Sequence, residues 1–470
     1  MNDTNRLEPP KDTRSYWQLV KSHPVGFWFI FWGELAERCS YYGMNSILAR
    51  FLAEKLDLGE GASGTYTSLF KAGCYFFPLL GGFLADQYLG KYRLIVMFSI
   101  PYIIGHIVLG AETLPMTMIA LVLLALGSGA IKPNISTLMG MTYDQKRPGD
   151  EKLRSMAFEM FYMAINIGSA ISYATIPWIR TEFGYGMAFL CPAVLMAISF
   201  VIFALGKKHY AVETIATHKK SPAEKAEQWL VIRRIAPLFL LVMVFWAIFD
   251  QSHNTWVFFA NTYMDRTLFG YQIDPETFGT INPLLIVLFV PLMRIMWNWL
   301  ETKGIKFRPT DKMILGFVLT GLTMAVMAYA GYTAGAGETQ TIAENGKEVS
   351  RVIVPAAEKV TIWWQVLAFV LITAAEILIS VTGLELAFVV SPQSMKGFIT
   401  ALWLLTVGMA NLFINASVTR LYPEMNKGQY FAMLAAGAFV VAFLCVFIAR
   451  GFNDVKVPDA LPEAPESPGE

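Results

Sequence analysis

The sequence predicts an all-α polytopic membrane protein with twelve transmembrane helices arranged as two six-helix bundles. Three observations predict it. Of the 470 residues, 55% are hydrophobic and only 16% are charged, where a soluble domain carries about 25% charged residues. Mean hydropathy is +0.46. The apolar residues fall into twelve runs near the roughly 20 residues needed to cross a bilayer, and the connections between them alternate in basic content.

In order, the expected spans are 25–50, 66–85, 94–111, 116–140, 155–178, 186–205, 235–261, 278–299, 312–334, 361–390, 395–420 and 429–450. Helices are expected because lipid offers the backbone no hydrogen-bond partners. The first span carries "GELAERCSYYG" inside an otherwise apolar run. The fourth is broken chemically by Lys132 and Pro133; the proline removes a backbone donor and lets local backbone polarity face a cavity. The seventh and tenth are long enough to imply tilt or overhang.

Charge sets the orientation. Connections after the even-numbered spans hold 18 Lys and Arg, against nine in the opposite connections. The basic excess belongs on the cytoplasmic side, and an even span count puts both termini there. The expected organisation is a cytoplasmic tail (1–24), a first bundle (25–206), a linker (207–234), a second bundle (235–450) and a disordered acidic, proline-rich tail (451–470). In the linker, Ser221, Pro222 and Glu224 have the spacing of a helix start, so a short amphipathic helix is expected there. Residues 335–360 read equally as a hairpin with "ENGK" at its turn and as a disordered loop. The polar N-terminal stretch lacks the short apolar region of a signal peptide.

Charged groups in apolar spans need partners or water, because each costs several kcal/mol in hydrocarbon. Glu34, Glu37 and Arg38 stand at i, i+3 and i+4, with Tyr41 and Tyr42 a turn further on, so they share one helix face. Two acids against one base leave a carboxylate that can take up and release a proton; the alternative is a purely structural salt bridge. Asp250 is a second candidate proton site, or an interhelical clamp. Lys132 in the first half and Glu376 in the second offer separated opposite charges, which suit a zwitterion such as a short peptide better than a sugar, a hydrocarbon or an inorganic anion. Asn166 and Asn282 add hydrogen-bonding groups, and Tyr41, Tyr42, Tyr75, Trp246, Trp256 and Trp403 offer apolar walls, or serve only as packing or interfacial belt.

Other classes find little support. No glycine-rich phosphate loop, zinc spacing, catalytic triad or nucleic-acid module is present in the sequence. Cys39, Cys74, Cys191 and Cys445 form no disulfide framework and read as reduced core residues. Span count alone leaves a channel, a receptor and a membrane enzyme open.

The motifs then narrow the choice. "ELAERCSYYG" resembles the first-span signature of the proton-dependent oligopeptide transporter family, the peptide branch of the major facilitator superfamily. "GGFLADQYLGKYR" is similar to the superfamily's loop motif, and "FYMAINIGS", "FWAIFDQ", "INPLLI" and "SVTGLELAFVVSPQSMKG" resemble further family segments in order. The resemblance implies the major facilitator fold and proton-coupled symport of di- and tripeptides into the cell, with peptide-like drugs as further substrates. It implies no cofactor beyond the coupling proton, a functional monomer and a multi-pass place in a bacterial inner membrane. By resemblance, Glu34, Glu37, Arg38, Lys132 and Asp250 couple protons. Tyr41, Tyr42, Asn45, Tyr75, Lys132, Asn166, Trp246, Asn282, Glu376 and Trp403 bind substrate, with Lys132 at the peptide carboxylate and Glu376 at its amino terminus. Gly81, Gly82, Asp86, Gly90 and Arg93 form a conformational latch, with Asp86 capping a helix or pairing with Arg93. Two features depart from the family. Asn45 stands where many members have an arginine, and the linker is too short for the two extra helices that many bacterial relatives insert. A carrier of another solute and a peptide-sensing receptor are the rival readings.

Overall fold

A computed structural model describes residues 14–213, 221–344, 347–389 and 396–452. A short helix, α1 (Tyr16–Ser22), is capped by Ser15 and precedes α2 (Val25–Arg50). Then follow α3 (Gly59–Leu84), α4 (Lys91–Leu109), α5 (Leu114–Lys146), α6 (Glu151–Leu205), α7 (Pro222–Phe249), α8 (Thr255–Tyr263), α9 (Ile281–Thr302), α10 (Pro309–Thr333), α11 (Trp363–Val389), α12 (Lys396–Met409), α13 (Ala416–Leu421) and α14 (Lys427–Arg450). The chain is an all-α polytopic membrane protein: ten helical segments among the described residues are long and apolar enough to cross a membrane. The 26-residue α2 falls outside that set by composition, since its charged cluster interrupts the apolar run.

The 55-residue α6 contains a chain reversal. Straight, it would run about 80 Å, more than twice a bilayer core. Its single non-helical residue is Gly184, at φ +83, a conformation that glycine adopts without a Cβ penalty. The two expected spans on either side of it meet there.

Three expectations change. The span expected at 235–261 is interrupted: α7 stops at Phe249, a 3₁₀ turn covers Asp250–His253, and α8 resumes at Thr255. The span expected at 395–420 widens into a π-helix at Ala410–Asn415 between α12 and α13. Both irregularities face each other. Asn411 Nδ2 donates to Asp250 Oδ2 (2.5 Å), and Gln251 Nε2 donates to Asn415 Oδ1 (2.5 Å). The same two amides also donate to carbonyls one turn back, Gln251 Nε2 to Ala247 (3.2 Å) and Asn411 Nδ2 to Val407 (3.0 Å), taking over bonding that a regular helix keeps on its backbone. The separate surface helix expected in the linker is also absent from 222–234. The helix does begin at Pro222, but nothing in "PAEKAEQWLVIRRIAP" stops it, and it continues into α7. Residues 214–220, and the tails 1–13 and 453–470, lie outside the described residues.

The alternatives for 335–360 resolve as a hairpin. Strands at Glu338–Glu344 and Lys347–Ile353 pair antiparallel, with Glu344 opposite Lys347. The turn residues 345–346 lie outside the described set. Two large apolar cores lie in the two halves: one draws on residues from Leu19 to Tyr210, the other on residues from Val231 to Phe452 plus Ala49 and Ala53. Cys39, Cys74 and Cys445 are buried, and all four cysteines are free thiols.

The basic connections gather at one end of the molecule. There Arg14 forks onto Asp150 (both contacts 2.7 Å), and Gln145 binds the backbone of Val212. At the opposite end Lys55 pairs with Glu112 (2.8 Å) and Arg180 with Asp274 (2.6 Å).

Candidate functional site

A cavity of 180 Å³ lies where the two halves meet. α2 contributes Tyr41, Tyr42 and Asn45, α3 contributes Lys71 and Tyr75, and α6 contributes Asn166 and Tyr173. The second half contributes Asp250 and His253 from the turn after α7, Asn282 from α9 and Glu376 from α11. Spacing explains the convergence: Tyr41 and Asn45 are one turn apart, as are Lys71 and Tyr75, so each pair points the same way.

Glu376 is held by Asn282, whose Nδ2 donates to Oε2 (2.8 Å) and also to Thr373 Oγ1 (3.0 Å). No basic side chain forms an ion pair with Glu376 among the described residues. Lys132, expected to face Glu376 across the cavity, is not among the residues lining it. Lys132 Nζ sits 3.8 Å from the Tyr41 ring centroid and 5.3 Å from that of Tyr75, behind the tyrosines that line the cavity. The cation in the cavity wall is Lys71, which sequence reasoning missed. Its Nζ meets Asp250 Oδ1 at 2.8 Å, and both side chains are buried. A lysine one turn before Tyr75 in an apolar span was the available signal.

That buried bridge makes a prediction. Removing one partner of a buried pair leaves an uncompensated charge and costs about 3–5 kcal/mol, whereas replacing both by apolar groups costs far less. Lys71→Met should therefore lower thermal stability markedly, and Lys71→Met with Asp250→Leu should regain most of the loss. A double-mutant cycle on melting temperature reads this directly, and additive losses would refute the coupling.

The first-span cluster is buried below the cavity tyrosines. Arg38 Nε donates to Glu34 Oε1 (2.6 Å) and lies 2.9 Å from Glu37 Oε2. The N–H is donated to Glu34, and Glu37 Oε2 has only the ion pair with Arg38. Glu37 Oε1 accepts from the Tyr102 hydroxyl on α4 (3.0 Å). Glu34 Oε2 and Glu37 Oε2 receive no hydrogen bond. This geometry fits a group that binds and releases a proton, since an orphan carboxylate oxygen is costly when charged and comfortable when protonated.

Trp246 and Trp403 do not line the cavity. Trp403 packs edge-on against Phe239 (5.5 Å) and Trp246 against Phe245 and Phe249. Asn166 Nδ2 donates to the Tyr162 carbonyl one turn back (3.0 Å). Asn45 Oδ1 is buried in the cavity wall without a hydrogen-bond partner.

Beyond the cavity, at the end opposite the basic connections, the halves are tied together. Arg50 binds Glu54 (2.9 Å) and reaches Glu276 (3.3 Å). Arg180 joins Asp274, Thr65 Oγ1 donates to the Ala416 carbonyl (2.9 Å), and Arg420 Nε donates to Thr65 (3.1 Å). In the sequence these residues read only as sparse charges in poorly basic connections.

The loop after α3 is built differently from expectation. Gly90 has φ +76, and α4 begins immediately after it, so Lys91 rather than Arg93 meets Asp86 (3.0 Å). Gly81 sits against α5, where a Cβ would come within 2.7 Å of Ala130 Cα, but Gly82 has open space around it. The helix cap comes from the linker: the Glu213 carboxylate accepts from the backbone N–H of Lys91 (2.6 Å) and of Tyr92 (2.9 Å), an anion at a helix N-terminus.

Comparison with known proteins supplies the remaining context. The family pattern PTR2, "POT family", matches residues 92–228 and 211–433. Human solute carrier family 15 member 1 is 31% identical over 378 residues, covering 66% of this chain and 53% of that protein. Peptide transporter family 1 of Drosophila melanogaster is 34% identical over 349 residues, covering 64% of this chain and 46% of that protein. The chain spans about half the length of the curated relatives it matches. The crystal structure of the POT family transporter PepTSo superposes with a TM-score of 0.79 at 27% identity, covering 92% of this chain and 98% of that one.

Proposed function

The chain belongs to the POT family, and from that premise we propose that it carries di- and tripeptides into the cell together with protons, by alternating access. The observation that carries the reading is Glu376: a carboxylate at the cavity between the halves, hydrogen-bonded by Asn282 but ion-paired with no described residue. A peptide ammonium satisfies it by a charge-assisted bond. Lys71 and Asn45 line the cavity from the first half, and a peptide carboxylate beside them would compete with Asp250 for Lys71. Lys132, held behind Tyr41, adds positive charge on the same side. Peptide-like drugs with the same two ends would be further substrates.

The proposed arrangement is twelve transmembrane helices in two bundles, 25–206 and 235–450, joined by the 207–234 linker. It counts α2 and both arms of α6 as spans. Both termini lie on the cytoplasmic side of a bacterial inner membrane, as the basic connections support, and the monomer is the working unit. The Arg50–Glu276 and Arg180–Asp274 ties then close the external side. A proton on Asp250 would free Lys71, loosening a bond between halves beside the cavity. A proton on Glu37 would leave Arg38 to Glu34 alone. Proton release inside runs through Glu37 and resets both, and the membrane potential adds about 2.3 kcal/mol per charge per 100 mV. No cofactor takes part.

The test is uptake. Protein in liposomes should accumulate labelled dipeptides from a varied panel against their gradient when an inward proton gradient is imposed. Accumulation confined to another solute in a competition panel would identify a carrier of a different class. Saturable peptide binding without flux would identify a receptor. Either outcome defeats the proposal.

A further inference from the structure

At the basic end of the molecule, α4 begins, α5 ends and α6 ends around a pocket of 790 Å³. Arg93, Lys146, Lys207 and Lys208 line it, and none of the four has an ion-pair partner among the described residues. The one acid in the lining, Glu213, is committed to the backbone N–H groups of Lys91 and Tyr92. Lys207 Nζ rests 5.5 Å from the centroid of the Tyr92 ring, which also lines the pocket. Beside the charges, Leu205 is 65% exposed and Val212 75% exposed.

We infer that this pocket binds the headgroup of an anionic phospholipid. Three membrane-crossing segments end around it, so it lies at the boundary between hydrocarbon and water. Four cations against one lining carboxylate, which Lys91 also approaches (4.0 Å), leave a net positive field for one phosphate, and juxtamembrane basic residues are each worth about 1 kcal/mol near an anionic surface. Apolar Leu205 and Val212 beside them suit the glycerol and acyl portion of a lipid, and would gain nothing from a soluble anion. Lysine stems can lie along such apolar surface while their heads reach the phosphate. The inference needs only that the chain crosses a membrane; it stands or falls separately from peptide transport.

The experiment is native mass spectrometry of the full chain with equimolar phosphatidylglycerol and phosphatidylcholine of identical acyl chains. Wild type should retain phosphatidylglycerol about tenfold more than phosphatidylcholine. The triple variant Lys146→Gln, Lys207→Gln, Lys208→Gln should fall to twofold or less. Val212→Glu, which sets a negative charge at the rim of the pocket without touching the lysines, should lower the preference as well. Lys303→Gln with Lys306→Gln, basic residues at the same end outside the pocket, should leave it intact. Equal retention of both lipids by wild type overturns the inference. So does an undiminished preference in the triple variant, or an equal loss in the Lys303/Lys306 control.

Discussion

Glu37→Gln should abolish proton-driven accumulation of peptide while leaving exchange across the membrane largely intact. A one-unit pH gradient stores about 1.4 kcal/mol per proton, enough for roughly tenfold accumulation. Wild type should approach that ratio or exceed it, and the variant should stop at equilibrium. The reason lies in the geometry: Glu37 Oε2 sits 2.9 Å from Arg38 Nε, whose N–H goes to Glu34, so that oxygen has no hydrogen bond, while Oε1 takes one from Tyr102. Glutamine keeps the shape and the Tyr102 contact but fixes the group in its neutral form. Counterflow, which needs no net proton movement, should therefore survive better than uphill uptake. Equal loss of both would mean that the cluster only holds α2 in place. Wild-type accumulation by the variant would remove Glu37 from the coupling path.

Glu376→Gln should weaken binding of dipeptides with a free amino terminus by roughly 30- to 150-fold, since a charge-assisted hydrogen bond is worth about 2–3 kcal/mol. Asn282 donates to Glu376 Oε2 and can donate equally to a glutamine carbonyl, so the local structure should hold. N-acetylated dipeptides lack the ammonium and should bind wild type and variant about equally poorly. Calorimetric titration of both ligand types against both proteins separates recognition from structure. Parallel losses for the two ligands, with a lowered melting temperature, would make Glu376 a structural partner of Asn282 and nothing more.

The helical spans were legible because the bilayer demands length and apolarity together, and both can be counted along a chain. Glu34, Glu37 and Arg38 were legible as a cluster because helix spacing alone places them together. The breaks in the seventh and eleventh spans were not. They depend on Asp250 and Gln251 meeting Asn411 and Asn415 across more than 150 positions of chain, a contact that no local window contains. The same holds for the cavity cation. Lys71 and Lys132 look alike in sequence, each a lysine in an apolar run. Only the packing shows that Lys71 meets Asp250 while Lys132 lies over Tyr41. Trp246 and Trp403 show the same limit from the other side: aromatic residues on cavity-forming helices fill the helix packing as readily as they line a cavity, and these two pack against Phe249 and Phe239.

The most direct measurement of the central proposal traps a pH-sensitive dye inside liposomes that start with no proton gradient, then adds dipeptide outside. The proposal predicts that peptide entry acidifies the lumen of wild-type liposomes, that the signal scales with the peptide gradient, and that Glu37→Gln liposomes take up peptide without it. Peptide entry through the wild-type protein at constant luminal pH would contradict it.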